Sequence, residues 1–280
     1  MLTRLRAKAE QRWFGVAPRQ AEIRSDAEAR IARRRWSTLA GGMEIRPYYD
    51  ERFEQRAVRL RSERPDNVAG WVEYGLDELG RRVSVRQPGY EGPFKDQITV
   101  YGECLDEVFD FEWVPEWARE SRGEHYKLVS LEQFLRDDTG RLERTVHIVR
   151  GDAFGDGPTR VSWEDYVYRG DGVLSQVVEH RPIDEEAHAI RGLAVGEVAV
   201  TRDEFTYDDA GDLVSIRRVP AFADDEPWIV WRRRPASLRP SARKVEDALV
   251  QYTVGWAREH WPDEPVYCLG ARVSRSVTRS

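Results

Sequence analysis

The stretch FTYDDAGDLVSIRR, Phe205 to Arg218, reads as strand, turn, strand. Phe205 and Tyr207 alternate with Thr206 before the turn, and Leu213 follows Asp212 after it. Each arm is apolar on one side and polar on the other, the pattern of an antiparallel ribbon covered on one face. In YDDAG an Asp opens the turn, where its carboxylate accepts a backbone N–H two residues on, and Gly supplies the positive φ that ends a type I turn with a G1 bulge. The unit recurs in variant form three times upstream. With turn glycines at Gly80, Gly140, Gly172 and Gly211, an aromatic residue stands six positions earlier in all four copies: Tyr74, Phe134, Tyr166 and Phe205. Two positions after the glycine stand Arg82, Leu142, Leu174 and Leu213, apolar in three of the four.

The core Tyr207-Asp208-Asp209-Ala210-Gly211-Asp212-Leu213, with Arg136-Asp137-Asp138-Thr139-Gly140-Arg141-Leu142 behind it, resembles the YD repeats of the bacterial Rhs family. In that family a Tyr-Asp-x-x-Gly-x-Leu core marks each hairpin of a long β wrapping, at a short and nearly constant period. Here successive glycines are 60, 32 and 39 residues apart. The resemblance implies a hairpin architecture and an association with secreted bacterial effectors.

Length and charge bound the remaining possibilities. A chain of 280 residues and 32.5 kDa has ample material for a core. Its net charge of −6 and pI near 5.6 argue against nucleic acid as a partner. Only four of 44 cations are Lys, which reads as the signature of a GC-rich bacterial genome. The two cysteines, Cys104 and Cys268, stand in no zinc-like pattern, and no stretch is apolar enough for a signal peptide or a membrane span. A cytoplasmic location is expected.

Residues 1–42 read as a basic helical arm. Met1 to Thr38 hold ten Arg or Lys against four Asp or Glu, a net of +6, which leaves −12 for the remainder. Leu2, Leu5, Ala9 and Trp13 predict a helix ahead of Pro18. A Ser25/Glu28 capping box, with Ile23, Ala27, Ile31, Ala32, Trp36 and Leu39 along one side, predicts a second that runs to Gly41-Gly42. Such an arm either binds an anionic membrane or an acidic partner, or folds back on its own acidic body. Residues 47–64 predict a third helix, with Tyr49, Phe53, Ala57 and Leu60 on one side.

From Ala69 the period becomes alternating. The hairpin core is expected over 69–235, with arms at Trp71–Gln87, Tyr126–Arg150, Thr159–Arg181 and Val195–Val219, and with QPGYEGP, residues 87–93, as a loop. Ser241 caps a C-terminal helix over 241–261, in which Val245, Leu249, Tyr252 and Trp256 share a face. The expected fold is α+β: a basic arm, then one domain over 43–280, a twisted antiparallel sheet of roughly eight to ten strands in a meander of hairpins, covered by N- and C-terminal helices. A curled half-barrel is the variant of the same sheet.

Chemistry is sparse. In VFDFEWV, alternation puts Asp110 and Glu112 together, opposite Phe109, Phe111 and Trp113. Paired carboxylates can share acid/base work when burial splits their pKa values, but an alternating pair also describes a solvated strand face. His147 and His180 fall in the returning arms of neighbouring hairpins, which makes them candidate bases, and a Cys104 nucleophile would need one of them beside it. Trp228 and Trp231 run into Arg232, Arg233 and Arg234, where guanidinium groups beside aromatic rings suit a phosphate or carboxylate. Asp152 and Asp156 in GDAFGDG lack calcium-loop spacing, and DEEAH at 184–188 lacks paired-His spacing, so neither a metal nor a cofactor is expected. Two functions follow: a non-catalytic bacterial binding protein, an immunity or accessory partner of an effector that meets a basic protein, or an enzyme of hydrolase type with a carboxylate/His pocket in the sheet.

Overall fold

The computed structural model describes residues 2–38, 45–53, 59–67, 70–89, 92–113, 126–150, 159–183, 197–222 and 225–233. Met1–Arg232 form one compact unit and Arg233–Ser280 another; every element below belongs to the first. Helices α1 (Leu2–Val16) and α2 (Gln20–Arg30) are joined by a 3-10 turn, and α3 is a short helix, Tyr49–Arg52. The strands are β1 (Arg33–Ser37), β2 (Val72–Leu76), β3 (Arg82–Gly89), β4 (Gly92–Val100), β5 (Leu105–Trp113) and β6 (Tyr126–Arg136). They continue with β7 (Leu142–Arg150), β8 (Thr159–Tyr168), β9 (Leu174–Pro182), β10 (Val198–Tyr207), β11 (Leu213–Val219) and β12 (Trp228–Arg232). All twelve lie in one sheet in chain order, antiparallel neighbour to neighbour, with β1 and β12 as its two end strands. Among the described residues no helix is long and apolar enough to cross a membrane.

The repeated turns have the expected chemistry. In the β6–β7 turn the N–H of Gly140 donates to Asp137 O at 2.9 Å and the N–H of Asp137 to Arg141 O at 2.8 Å, and the β2–β3, β8–β9 and β10–β11 turns repeat both bonds. Asp137 Oδ1 accepts from the N–H groups of Thr139 and Arg141, each at 2.9 Å. Those bonds and the Thr139 hydroxyl lower the Asp137 pKa. Each turn glycine has φ between 80 and 82°. Nothing lies within 4 Å of a Cβ placed on Gly140, so Gly140→Ala isolates the backbone cost. Thermal unfolding is expected to show a loss of about 1–2 kcal/mol.

The aromatic residue six positions ahead is buried in every copy: Tyr74, Phe134, Tyr166 and Phe205. Neighbouring turns are also stapled sideways. The Arg81 guanidinium lies 4.4 Å over Tyr101 and that of Arg141 lies 4.9 Å over Tyr168. The two phenol hydroxyls donate to Arg82 O and Leu142 O, each at 2.9 Å.

The sheet is covered on both faces, unlike the one-sided sheet that the turn arms predict. Consecutive residues of β5, Val108 and Phe109, are both buried, each in a different cluster. On one face Ala9, Trp13, Val16 and Ala27 of α1 and α2 pack with Phe109, Leu131 and Ile148. On the other, Ile45 and Tyr48 pack against Phe134, Tyr166, Phe205 and Ile216. The arm folds back on acidic residues of the sheet: Arg12 forks onto Glu107, and Arg24 donates twice to Asp96 Oδ2, at 3.0 and 2.8 Å. Gly75 makes room for the end of α2, since a Cβ there would stand 2.6 Å from Ile31 Cδ1.

Helix is scarcer than the sequence pattern predicts. The second helix begins at Gln20, so Ser25 is internal and caps nothing. It stops at Arg30, and Arg33–Ser37 pair with Leu76–Val72 as β1. Of the third predicted helix, Tyr49–Arg52 is helical, residues 54–58 lie outside the described residues, and Arg61 instead exchanges two backbone hydrogen bonds with Trp36 on the outer edge of β1. QPGYEGP is strand up to Gly89 and again from Gly92, with Pro88 facing Pro93. The helix expected over 241–261 lies outside the described residues, as do GDAFGDG and DEEAH.

Candidate functional site

The segment 45–53 lies across the sheet face opposite α1 and α2, and buried charge holds it there. Tyr48 adopts left-handed backbone (φ 54°) ahead of α3, and its ring centroid is 5.5 Å from that of Phe205. Arg52 is 2% exposed; its Nε donates to Asp203 Oδ2 at 2.8 Å and its Nη2 to Glu164 Oε1 at 2.7 Å. Arg218 forks onto Asp203 at 2.7 and 2.8 Å. Arg46 Nη2 donates to Glu132 Oε1 at 2.6 Å, and its Nε lies 3.3 Å from Glu164 Oε2. The Tyr166 hydroxyl completes Glu164, donating to Oε2 at 2.6 Å. Three guanidiniums thus meet three carboxylates.

The same burial acts differently on each acid. It pushes Glu164 up, but Arg52 and Arg46 outweigh it and bring the pKa down to about 2. In Glu132 burial prevails over Arg46, and the pKa is raised. Glu132, Glu164 and Asp203 are repeat equivalents, each two residues before the buried aromatic and eight before the turn glycine. Acid, one residue, aromatic, then Gly six further on was therefore legible in the chain, and sequence reasoning missed it. The first copy has Val72 at that position and packs against Leu60 instead.

Beside the segment is a cavity of about 410 Å³, walled by Arg46, Tyr49 and Phe53 on one side and by residues of β6 to β9 on the other. Glu132, His147 and Ser162 stand directly opposite one another on β6, β7 and β8 and line it, with Glu164 and Glu179 further along. His147 Nε2 is 3.9 Å from Glu132 Oε1. Burial, with Arg46 adding to it, lowers His147 from 6.5 to about 4, so the ring is neutral near pH 7. A depressed histidine pKa contributes stability above pH 6.5 that is lost as the pH falls through 4. With 39% of the side chain exposed, that contribution is about 1 kcal/mol after solvent screening. Urea unfolding of His147→Gln between pH 7 and 4 is expected to lack this part of the wild-type decline.

Of the candidate catalytic and binding residues read from sequence, His147 alone lines this cavity. Asp110 and Glu112 share a face as alternation predicts, but each has its own partners. Asp110 accepts from Gln97 Nε2 at 2.9 Å and Ser130 Oγ at 2.6 Å, and Glu112 lies 3.5 Å from Lys127 Nζ. His180 is on the opposite face from His147, because their partners on β8, Trp163 and Ser162, are consecutive residues. Its ring stacks on Trp163 at 4.7 Å, and its Nε2 is 3.1 Å from Asp165 Oδ2. Cys104 is exposed in the β4–β5 turn. Trp231 packs into the core beside Val230, while Trp228 is 48% exposed and Arg232 is exposed. Arg233 follows β12, and Arg234 lies outside the described residues.

These features define an open antiparallel meander with a repeated carboxylate on one face, gripping arginines of its own chain. No protein-family model matches the chain, and no curated protein is significantly similar to it in sequence.

Proposed function

We propose that this chain is a non-catalytic binding protein that engages a basic protein through the carboxylate-bearing face of its sheet, as an accessory or immunity partner of a bacterial effector. The observation that carries this reading is the repeated acid: Glu132, Glu164 and Asp203 each bind a guanidinium already. Glu179 lines the same cavity, where it holds the exposed Arg181. Charge complementarity of this kind sets orientation and encounter rate and is screened by salt. The effector association rests on the Rhs-like turns and the bacterial character of the composition.

The test is recovery of a complex from the native host, with its mass measured by light scattering and its affinity by calorimetry. A one-to-one complex with a basic protein, about tenfold weaker at 300 than at 50 mM salt and weakened again by Glu179→Lys, is the expected result. A complex indifferent to both changes would overturn it. A hydrolase is the second reading, favoured by the Glu132, His147, Ser162 row at the cavity. It requires that His147→Gln abolish a hydrolytic turnover by the wild-type protein while leaving the fold intact.

A further inference from the structure

A second cavity, of about 480 Å³, lies on the other face, between α2 and strands β4 and β5. Its floor is apolar: Ile23 and Ala27 from α2, Val100 from β4 and Phe109 from β5. Three arginines stand around it. Arg12 is forked onto Glu107, and Arg19 onto Glu22, with Asp26 adding its attraction to Arg19. Of the two carboxylates that line the cavity, Glu107 is held by Arg12, while Asp26 is exposed to solvent and makes no ion pair among the described residues. Arg30, the last residue of α2, is a half-buried residue at the rim, and its guanidinium has no hydrogen-bond partner among the described residues.

An apolar floor, an uncommitted guanidinium at one end and a volume in the range of small-molecule sites together specify an occupant. We infer that this cavity binds a small amphipathic carboxylate, an aromatic or short aliphatic body with one anionic end. The body lies on Ile23 and Val100, the part-exposed members of the floor, removing apolar surface from water, and the carboxylate accepts from Arg30. A planar fork suits the two oxygens of a carboxylate, and the pair gains strength from the partial shelter of the rim. A neutral molecule of the same shape keeps the apolar contact and loses the charged bond.

The experiment is calorimetric titration of the full-length chain with 2-naphthoate and with its neutral counterpart 2-naphthylmethanol. Naphthoate is expected to bind about tenfold more tightly than the alcohol, the worth of one charge-assisted hydrogen bond. Arg30→Gln is expected to remove that difference while leaving the alcohol's affinity unchanged. Ala29→Trp, at an exposed position on the cavity's lip, is expected to block both probes without touching the core. Circular dichroism of each variant confirms that the fold is retained. Equal affinity of the two probes, naphthoate binding unaffected by Arg30→Gln, binding that survives Ala29→Trp, or no binding of either probe at millimolar concentration overturns the inference.

Discussion

Arg52→Ala is expected to lower the free energy of unfolding by about 3–5 kcal/mol, as for any buried ion cluster that loses one member. The side chain is 2% exposed and bridges Glu164 on β8 to Asp203 on β10. Without it, three carboxylates share two guanidiniums in a site with little water to take up the difference. The pH dependence has a definite sign. Glu164 is held near 2, below its ordinary 4.5, so its pairing stabilises the fold above pH 4.5 and is lost as the pH falls toward 2. Arg52→Ala flattens that decline, which urea titrations between pH 6 and 3 will detect. Arg217→Ala serves as the control: its pair with Glu204 leaves the arginine 52% exposed, and such surface pairs are worth about 0–1 kcal/mol. Equal losses in the two variants would show that burial contributes nothing to the cluster.

Phe134→Ala is expected to cost about 3–5 kcal/mol, the usual penalty for deleting a fully enclosed ring. Phe134 is 0% exposed and packs in the cluster that holds Tyr166 and Phe205, the same position of two later repeats. The cavity left behind borders three hairpins, so relaxation of any one cannot fill it. Leu79→Ala, at a turn tip with 77% of the residue exposed, is expected to fall within about 0.5 kcal/mol of wild type. Equilibrium denaturation of the pair separates the repeat's core position from its ornamental one.

The turns and the buried aromatics were legible because their causes are local. An Asp that opens three of the four turns, a Gly with positive φ in all four and an alternating arm act within about a dozen residues. What was not legible depends on distant pairing. Ile31 to Leu39 carries a helical apolar stripe, yet β2 offers an edge from Val72 to Leu76 and the backbone of 33–37 takes it. Arg61 is drawn out of its helical pattern in the same way. At the cavity, the acids recur visibly through the chain, but Arg46 reaches Glu132 across 86 positions and Arg52 reaches Asp203 across 151. No periodicity marks those partners. His147 and His180 sit seven and eight residues after their glycines, and that single step of register sends them to opposite faces.

Because every strand hydrogen-bonds only to its chain neighbours, the sheet by itself is a one-dimensional array in which any hairpin can open with little notice taken by those farther along. The segment carrying Arg46 and Arg52 breaks that independence: like a batten nailed across floorboards, it fastens the sixth, eighth and tenth strands to one another. With α1 and α2 spanning strands of the other face, cooperative melting of this ribbon comes from what is laid over it as well as from the twelve strands within it.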